Sequence, residues 1–407
     1  MSNTLKFIDM VNREALAIAH EKCQILGTVD RQYDASFGKT GAKSGSTLRV
    51  RDANQYTRRQ GSRVMDVQDQ NESTQTITLA TQDGVDMRFN SAELTLDTDN
   101  PSDVAAFSKR YIEPAVSVLI SGIESDAIAY YTKATSQVSG TAGTALTDLT
   151  AVGAARAKLN QQLAPKDGNR FIQCDSVAMG GMVNGLKGLF QDSEQIRKQY
   201  REGMIGRTAM ADWYENDRMW TLTNSADVFG EINAGTLTSG ITSLTVDGFT
   251  AAPAVGAVFT VEGIYDVHPE TKALYSHLKQ FVVTAATTTS ITYSPAMNYA
   301  STGANAAKQN CSGTPVDNAD ITFVGALSTS YVQQLMYHKD AFQFVTADLP
   351  LMDDAHKCAR RTQEGLSMRV WMASDIRNDE LLMRLDILYG MAALRPSWAC
   401  RMIGAAN

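Results

Sequence analysis

The chain reads as an α+β protein interrupted by a small all-β module, and three observations predict this. Before residue 222 and after residue 320, helical stripes and alternating strands are interspersed. Between them no Lys or Arg occurs from Arg218 to Lys272, and short Thr/Val/Ile runs are punctuated by Gly240, Gly248, Gly256 and Gly263. That is the spacing of short strands in a small barrel or sandwich. The length of 407 residues also exceeds what one hydrophobic core usually holds, so several domains are the default. With 43% apolar and 20% charged residues the composition is that of a globular chain, not a disordered one.

Each element follows in order. Residues 3–26 place Phe7, Ile8, Val11, Ala15, Ile18 and Ala19 on one helical stripe, with Gly27 as a stop. YDASFGKTGAKSGS, residues 33–46, is a Gly/Ser/Lys-rich linker. Residues 47–51 and 74–81 alternate as strands do, and the polar stretch between them makes a long, protruding hairpin. Its charges are segregated: Arg49, Arg51, Arg58, Arg59 and Arg63 come first, then Asp66, Asp69, Glu72, Asp83, Asp86 and Glu93.

Asn100-Pro101 opens a helix with a capping side chain and a first-turn proline. Val104, Phe107, Tyr111, Val118, Ile123, Ala127 and Tyr130 continue it toward Thr132, a run of about 45 Å. Pro114 lies inside, which predicts a kink or a break there. A Ser/Thr/Gly-rich loop over 135–150 precedes a helix at 151–163, a strand RFIQCD and a helix at 177–190, and SEQIRKQYREGM adds another helix. After the β-module, ELLMRLDILYG is a core strand near the end.

Motifs for chemistry are sparse. FGKT at 37–40 resembles the end of a phosphate loop, but Tyr33 stands where the first glycine belongs and no strand precedes it; a linker is the better reading. His20, His268, His277, His338 and His356 have no metal-binding spacing. Asp97 and Asp99 precede a proline and lack the glycine of a calcium loop. Cys23, Cys174, Cys311, Cys358 and Cys400 are odd in number, scattered and without a CxxC pair, so reduced thiols in a cytoplasmic setting are expected. No GxSxG elbow occurs. The expectation is a protein with no catalytic residues, no cofactor and no metal. The N-terminal residues carry charges every few positions and lack the apolar core of a signal peptide, and no apolar run approaches a membrane span.

A net charge of −7 argues against gripping nucleic acid as the main task. The arginine run has Tyr56 as its one interleaved aromatic and an acidic block beside it, which also disfavours a nucleic-acid patch. A solvated hairpin is the bland alternative. The preferred reading is that these arginines meet carboxylates on a neighbouring copy, because segregated charge sets register between subunits.

The order of segments carries a resemblance. GSTLRVRDANQYTRRQGSRVMDVQDQ looks like an E-loop, and PSDVAAFSKRYIEPAVSVLISGIESDAIAYY occupies the position of a spine helix. GAVFTVEGIYDVHPETKALYSHLKQFVVTAATTTSITYSP is similar to the strands of an inserted barrel, and LLMRLDILYGMAALRP to a closing strand and turn with Gly390, Arg395 and Pro396. The chain thus resembles the major capsid (coat) proteins of tailed bacteriophages with the Hong Kong 97 (Johnson) fold, most of all those of short-tailed Salmonella-type phages with an inserted I-domain.

The resemblance implies an N-terminal arm and linker over 1–46, E-loop hairpin and P-domain strands over 47–99, and a spine helix over 100–134. A P/A-domain core over 135–222, the barrel over 223–320 and completion of the A and P domains over 321–407 follow. It implies self-assembly, as hexamers and pentamers, into an icosahedral procapsid that matures around packaged double-stranded DNA. A scaffolding protein, a portal and a decoration protein are the implied partners, with nonspecific DNA contact and no membrane. The location is the virion capsid, assembled in the host cytoplasm. Arg49, Arg51, Arg58, Arg59 and Arg63 are then candidate intersubunit contacts. Two other readings stay open: a cellular nanocompartment shell of the same fold, from which the insertion and genomic neighbours separate it, and a carbohydrate-binding or adhesin module.

Overall fold

The structure, a computed structural model, describes residues 15, 23–31, 47–59, 61, 63–65, 67–68, 72–90, 108–186, 207–227, 229–233, 237–302, 306–352, 357–363 and 366–406. Most of the expected N-terminal helix, the linker with FGKT, the Asn100-Pro101 helix start, the helix over 193–204, and Asp66, Asp69, Glu93, Asp97 and Asp99 lie outside them.

In chain order the elements are α1 (Ile25–Thr28), β1 (Thr47–Arg51), β2 (Thr74–Thr78), β3 (Thr81–Asn90), α2 (Glu113–Ala134), β4 (Val138–Ser139), α3 (Leu149–Gln161), β5 (Arg170–Cys174) and α4 (Ser176–Leu186). Then come β6 (Arg207–Thr208), β7 (Ala211–Glu215), β8 (Thr221–Thr223), β9 (Phe229–Ile232), β10 (Ile241–Asp247), β11 (Val258–Val267), β12 (Leu274–Ala286), β13 (Ser290–Met297) and β14 (Asp320–Phe323). The last are β15 (Ser330–His338), β16 (Gln343–Ala347), β17 (Lys357–Gln363), β18 (Leu366–Asp375), β19 (Glu380–Ala392) and β20 (Ala399–Ala406).

Pro114 neither ends nor splits the helix. A π-helical turn, Ser108–Ile112, runs directly into α2, and Pro114 sits in the first turn of the α-helical part. There its missing N–H costs little, and the wider π turn changes the hydrogen-bonding register just ahead of the ring.

The chain divides into two compact units. The first comprises residues 1–50, 76–127 and 343–392. Its sheet has the order β16-β19-β18-β17, with β3 also paired to β19 over Thr81–Asn90. The strand expected at ELLMRLDILYG is β19, central in this sheet. Fully buried Asp386 accepts from Arg369 Nη2 at 2.7 Å and Arg384 Nε at 2.6 Å. Gly84 faces it: a Cβ there would lie 2.6 Å from Asp386 Oδ1 and 2.7 Å from the Leu385 carbonyl, so the carboxylate occupies the space a side chain would need. In the same unit the buried carboxylate of Glu124, on α2, accepts the backbone N–H groups of Gln24 and Ile25 at the start of α1.

The second unit comprises residues 51–75, 128–342 and 393–407. One of its sheets runs β4-β20-β15-β5-β7-β6, with β8 also on β15. Asp148 caps α3 by accepting the Thr150 N–H at 2.9 Å, as the Ser/Thr/Asp rule predicts. Ala155 and Leu159 of α3, Met182 of α4, Ile172, Met336 and Met402 share one apolar cluster.

The β-module is a closed antiparallel barrel in the order β10-β13-β12-β11-β14-β9. Closure removes the exposed edges that Thr/Val-rich strands otherwise offer to other chains. Phe259, Phe281, Tyr293 and Phe323 form its aromatic centre, with ring centroids 5.2–5.9 Å apart. Tyr293 donates its hydroxyl to the Ile241 carbonyl at 3.0 Å, so its polar end is satisfied inside the core.

Candidate assembly interface

β1 and β2 form a two-stranded sheet, and the described residues between them, 52–59, 61, 63–65, 67–68 and 72–73, form no further strand. Side chains hold that loop closed. The Asp52 N–H donates to the Ser73 carbonyl at 2.9 Å, and the Ser73 hydroxyl to the Asp52 carboxylate at 3.1 Å. Five residues further along each arm, Gln68 replaces a backbone pair. Its Oε1 accepts the Thr57 N–H at 2.8 Å and its Nε2 donates to the Thr57 carbonyl at 2.7 Å. These contacts fall in one antiparallel register, so a polar sequence with weak strand propensity still makes an extended hairpin. Gly61, with φ of +79°, supplies the left-handed residue near the turn.

All five predicted arginines are exposed on this hairpin. Arg51 pairs with Glu72 across its own arms at 3.6 Å. Arg59 donates to the Val64 carbonyl and so tightens the tip. Among the described residues Arg49 and Arg63 have no ion pair. Two of the acids grouped with the hairpin from sequence belong elsewhere: Asp83 and Asp86 lie on β3, where Asp83 accepts the Tyr389 hydroxyl at 2.7 Å and Asp86 lies 3.6 Å from Arg384. Sequence reading missed the apolar tip. Val64, Met65 and Val67 are each nearly 80% exposed. Polar surroundings concealed them, yet three such residues within four positions of a turn were the available signal.

Among the described residues no group of three or more His, Cys, Asp or Glu side chains could hold a metal. Cys174, Cys311 and Cys400 are buried, and burial pushes each thiol up, Cys311 to about 12, away from nucleophilic reactivity. Among the described residues no helix is long and apolar enough to cross a membrane.

The long helix, the extended hairpin and the closed barrel belong to a capsid-building chain of the tailed-phage class. The chain belongs to the P22 coat protein (gene protein 5) family, whose family model matches residues 42–404. It is a major capsid protein that forms an icosahedral shell. Among solved structures, a chain of Mycobacterium phage Che8 has the same fold, with a TM-score of 0.51, 10% identity and coverage of 93% of this chain and 90% of that one. A chain from the capsid structure of the cyanophage P-SCSP1u is similar at a TM-score of 0.45 and 12% identity over 89% and 84% of the two chains. One from the mature capsid of bacteriophage PhiM1 is similar at 0.42 and 10% over 89% and 82%. No curated protein matches the chain.

Proposed function

We propose that the chain assembles first as a procapsid in the host cytoplasm, on a scaffolding protein and around a portal, and then matures around packaged double-stranded DNA. In this reading the hairpin lies over an adjacent copy, with its apolar tip against that copy and Arg49, Arg58, Arg59 and Arg63 facing carboxylates there. The observation that carries it is the tip itself: exposed Val64, Met65 and Val67 stand among exposed arginines, an apolar centre with a charged rim. Many copies of one small contact give a stable shell, because each subunit is held by several neighbours at once. The protein acts by association and performs no catalysis, and its contact with DNA is nonspecific. A decoration protein would bind the finished exterior.

The test is expression of the chain with a scaffolding partner, followed by sedimentation and negative-stain microscopy. Closed particles of uniform diameter are the expected product. A chain that stays monomeric or forms open sheets under all scaffold ratios overturns the proposal.

A further inference from the structure

Arg401 on β20 is fully buried and, among the described residues, no carboxylate pairs with it. That is a costly position for a cation, since an uncompensated buried charge is among the most destabilising features a fold can carry. Its two terminal nitrogens bond instead to main-chain carbonyls from two distant parts of the chain, while the buried Nε has no partner among the described residues. Nη1 donates to the Gly256 carbonyl at 2.7 Å, on the turn that leads into barrel strand β11. Nη2 reaches the Lys133 carbonyl at 3.4 Å, in the last turn of α2. The helix C-terminus carries the negative end of the backbone dipole, which replaces the absent carboxylate. Burial still lowers the Arg401 pKa to about 9, so the group is charged at neutral pH.

The surroundings leave little slack. Trp220, just before β8, has the Arg401 guanidinium carbon 5.9 Å and the Lys133 ammonium 5.3 Å from its ring centre. Gly256 has φ of +90°, and a Cβ there would stand 2.7 Å from the Trp220 ring and 3.1 Å from Lys133 Cγ. The Gly256 N–H is itself bonded to the Val283 carbonyl of β12 at 2.8 Å. Beside this node Val138, Val258, Val282, Tyr331 and Ile403 pack as a small apolar seam between barrel and sheet. A helix end, a barrel turn and the last strand therefore meet at one planar fork.

We propose that Arg401 is a coupling pin: it makes the last turn of α2 and the seat of the barrel one cooperative unit, so that displacing either is transmitted to the other. The local coupling stands on the contacts above, while its use in shell rearrangement rests on the assembly reading proposed here. A coupling of this kind is reciprocal, and its physical warrant is a shared element that both sides bias. Arg401 is a positioning residue in this account, because it acts through the carbonyls it holds.

The test compares hydrogen exchange in the full-length chain for wild type, Arg401→Met, Arg401→Lys and Ile321→Ala. Ile321 lies in the barrel core on β14, paired with Val261 of β11, and bonds to none of the groups that hold Arg401. The Met variant should raise exchange at residues 131–135 and 254–258 together by about tenfold, the scale of losing hydrogen bonds to a charged group. Ile321→Ala should loosen the barrel and leave 131–135 unchanged. The Lys variant keeps the charge but lacks the planar fork whose two nitrogens fix the spacing of these carbonyls, so it should also lose joint protection; it reads the same quantity if the Met variant does not fold. Loosening of only one of the two segments, or wild-type protection in the Lys variant, overturns the pin. In particles, the temperature of heat-induced expansion should fall for the Arg401 variants and hold for Ile321→Ala. Equal expansion temperatures overturn the transmission, whereas wild-type chains that form no particles overturn the assembly reading and leave the exchange result to decide the local coupling.

Discussion

Asp266, on β11, shows how a charged residue becomes structural at the scale of a single side chain. It is nearly buried, and it accepts from Lys279 Nζ at 2.8 Å and Gln162 Nε2 at 3.2 Å, with His277 Nε2 at 3.5 Å. Burial alone would raise its pKa, but the bonds from His277 and Lys279 outweigh burial and hold the carboxyl below its ordinary value. A depressed folded pKa means the stabilisation is complete above the unfolded carboxylate value of about 3.9 and disappears as pH falls through the lower folded pKa. Asp266→Asn should therefore destabilise the chain by about 3 kcal/mol at neutral pH, because it strands the Lys279 ammonium. Adding Lys279→Met should recover most of that loss. Urea midpoints of the two variants check this, and equal destabilisation in both would show that the pair is not energetically linked. The acid-induced loss of stability below about pH 4 should be smaller in Asp266→Asn than in wild type.

At the scale of elements, the barrel has its own core and a closed ladder of hydrogen bonds, so it should fold in isolation. The strand β14 lies between β11 and β9, which makes Asp320–Phe323 necessary for closure. A fragment of residues 222–324 should give one cooperative thermal transition and dispersed amide signals, since burying aromatic side chains contributes about 1.5–3 kcal/mol each. It should melt below the full chain, because Val258 and Val282 lose the seam they make with Val138 and Ile403. A spectrum without dispersion would place part of the barrel's stability outside that fragment. The hairpin is the opposite kind of element: the side chains of Gln68, Ser73 and Asp52 hold its shape, and Val64, Met65 and Val67 at its tip are exposed.

For the whole molecule, what matters is that small contact energies recur throughout a shell. Replacing Arg58 and Arg59 with Glu removes exposed charges, each worth only about 0–1 kcal/mol to the isolated chain, so its melting should barely change. Against carboxylates of a neighbour, the reversal adds repulsion of several kcal/mol per contact. Shells should be lost in sedimentation and partly restored at high salt, where screening weakens the repulsion. Normal shells from the double variant would place the hairpin arginines outside the subunit contact, and a melted monomer would assign them to the chain's own fold.

Local periodicity and turn chemistry were enough to read the order of segments: hairpin strands at 47–51 and 74–81, the second of which ends at Thr78, the helix through Val118 and Ile123, and the Thr/Val-rich module that closes as a barrel. Alternation and helical stripes depend on neighbours a few residues apart, which a sequence displays directly. The exposure of the five arginines is legible for a similar reason, since a charged run is solvated in most folds. Tertiary structure alone decided what lies far apart in the chain. It placed Asp83 and Asp86 against β19, paired β15 with β20, β5 and β8, and carried the helix past Pro114 on a π turn. It also buried Arg401 and Asp266, which as charged residues read as surface positions in a sequence. Whether a charge is solvated or enclosed depends on partners that tertiary structure brings up, such as Gly256 and Lys133 for Arg401, more than a hundred residues away, and no local pattern encodes them.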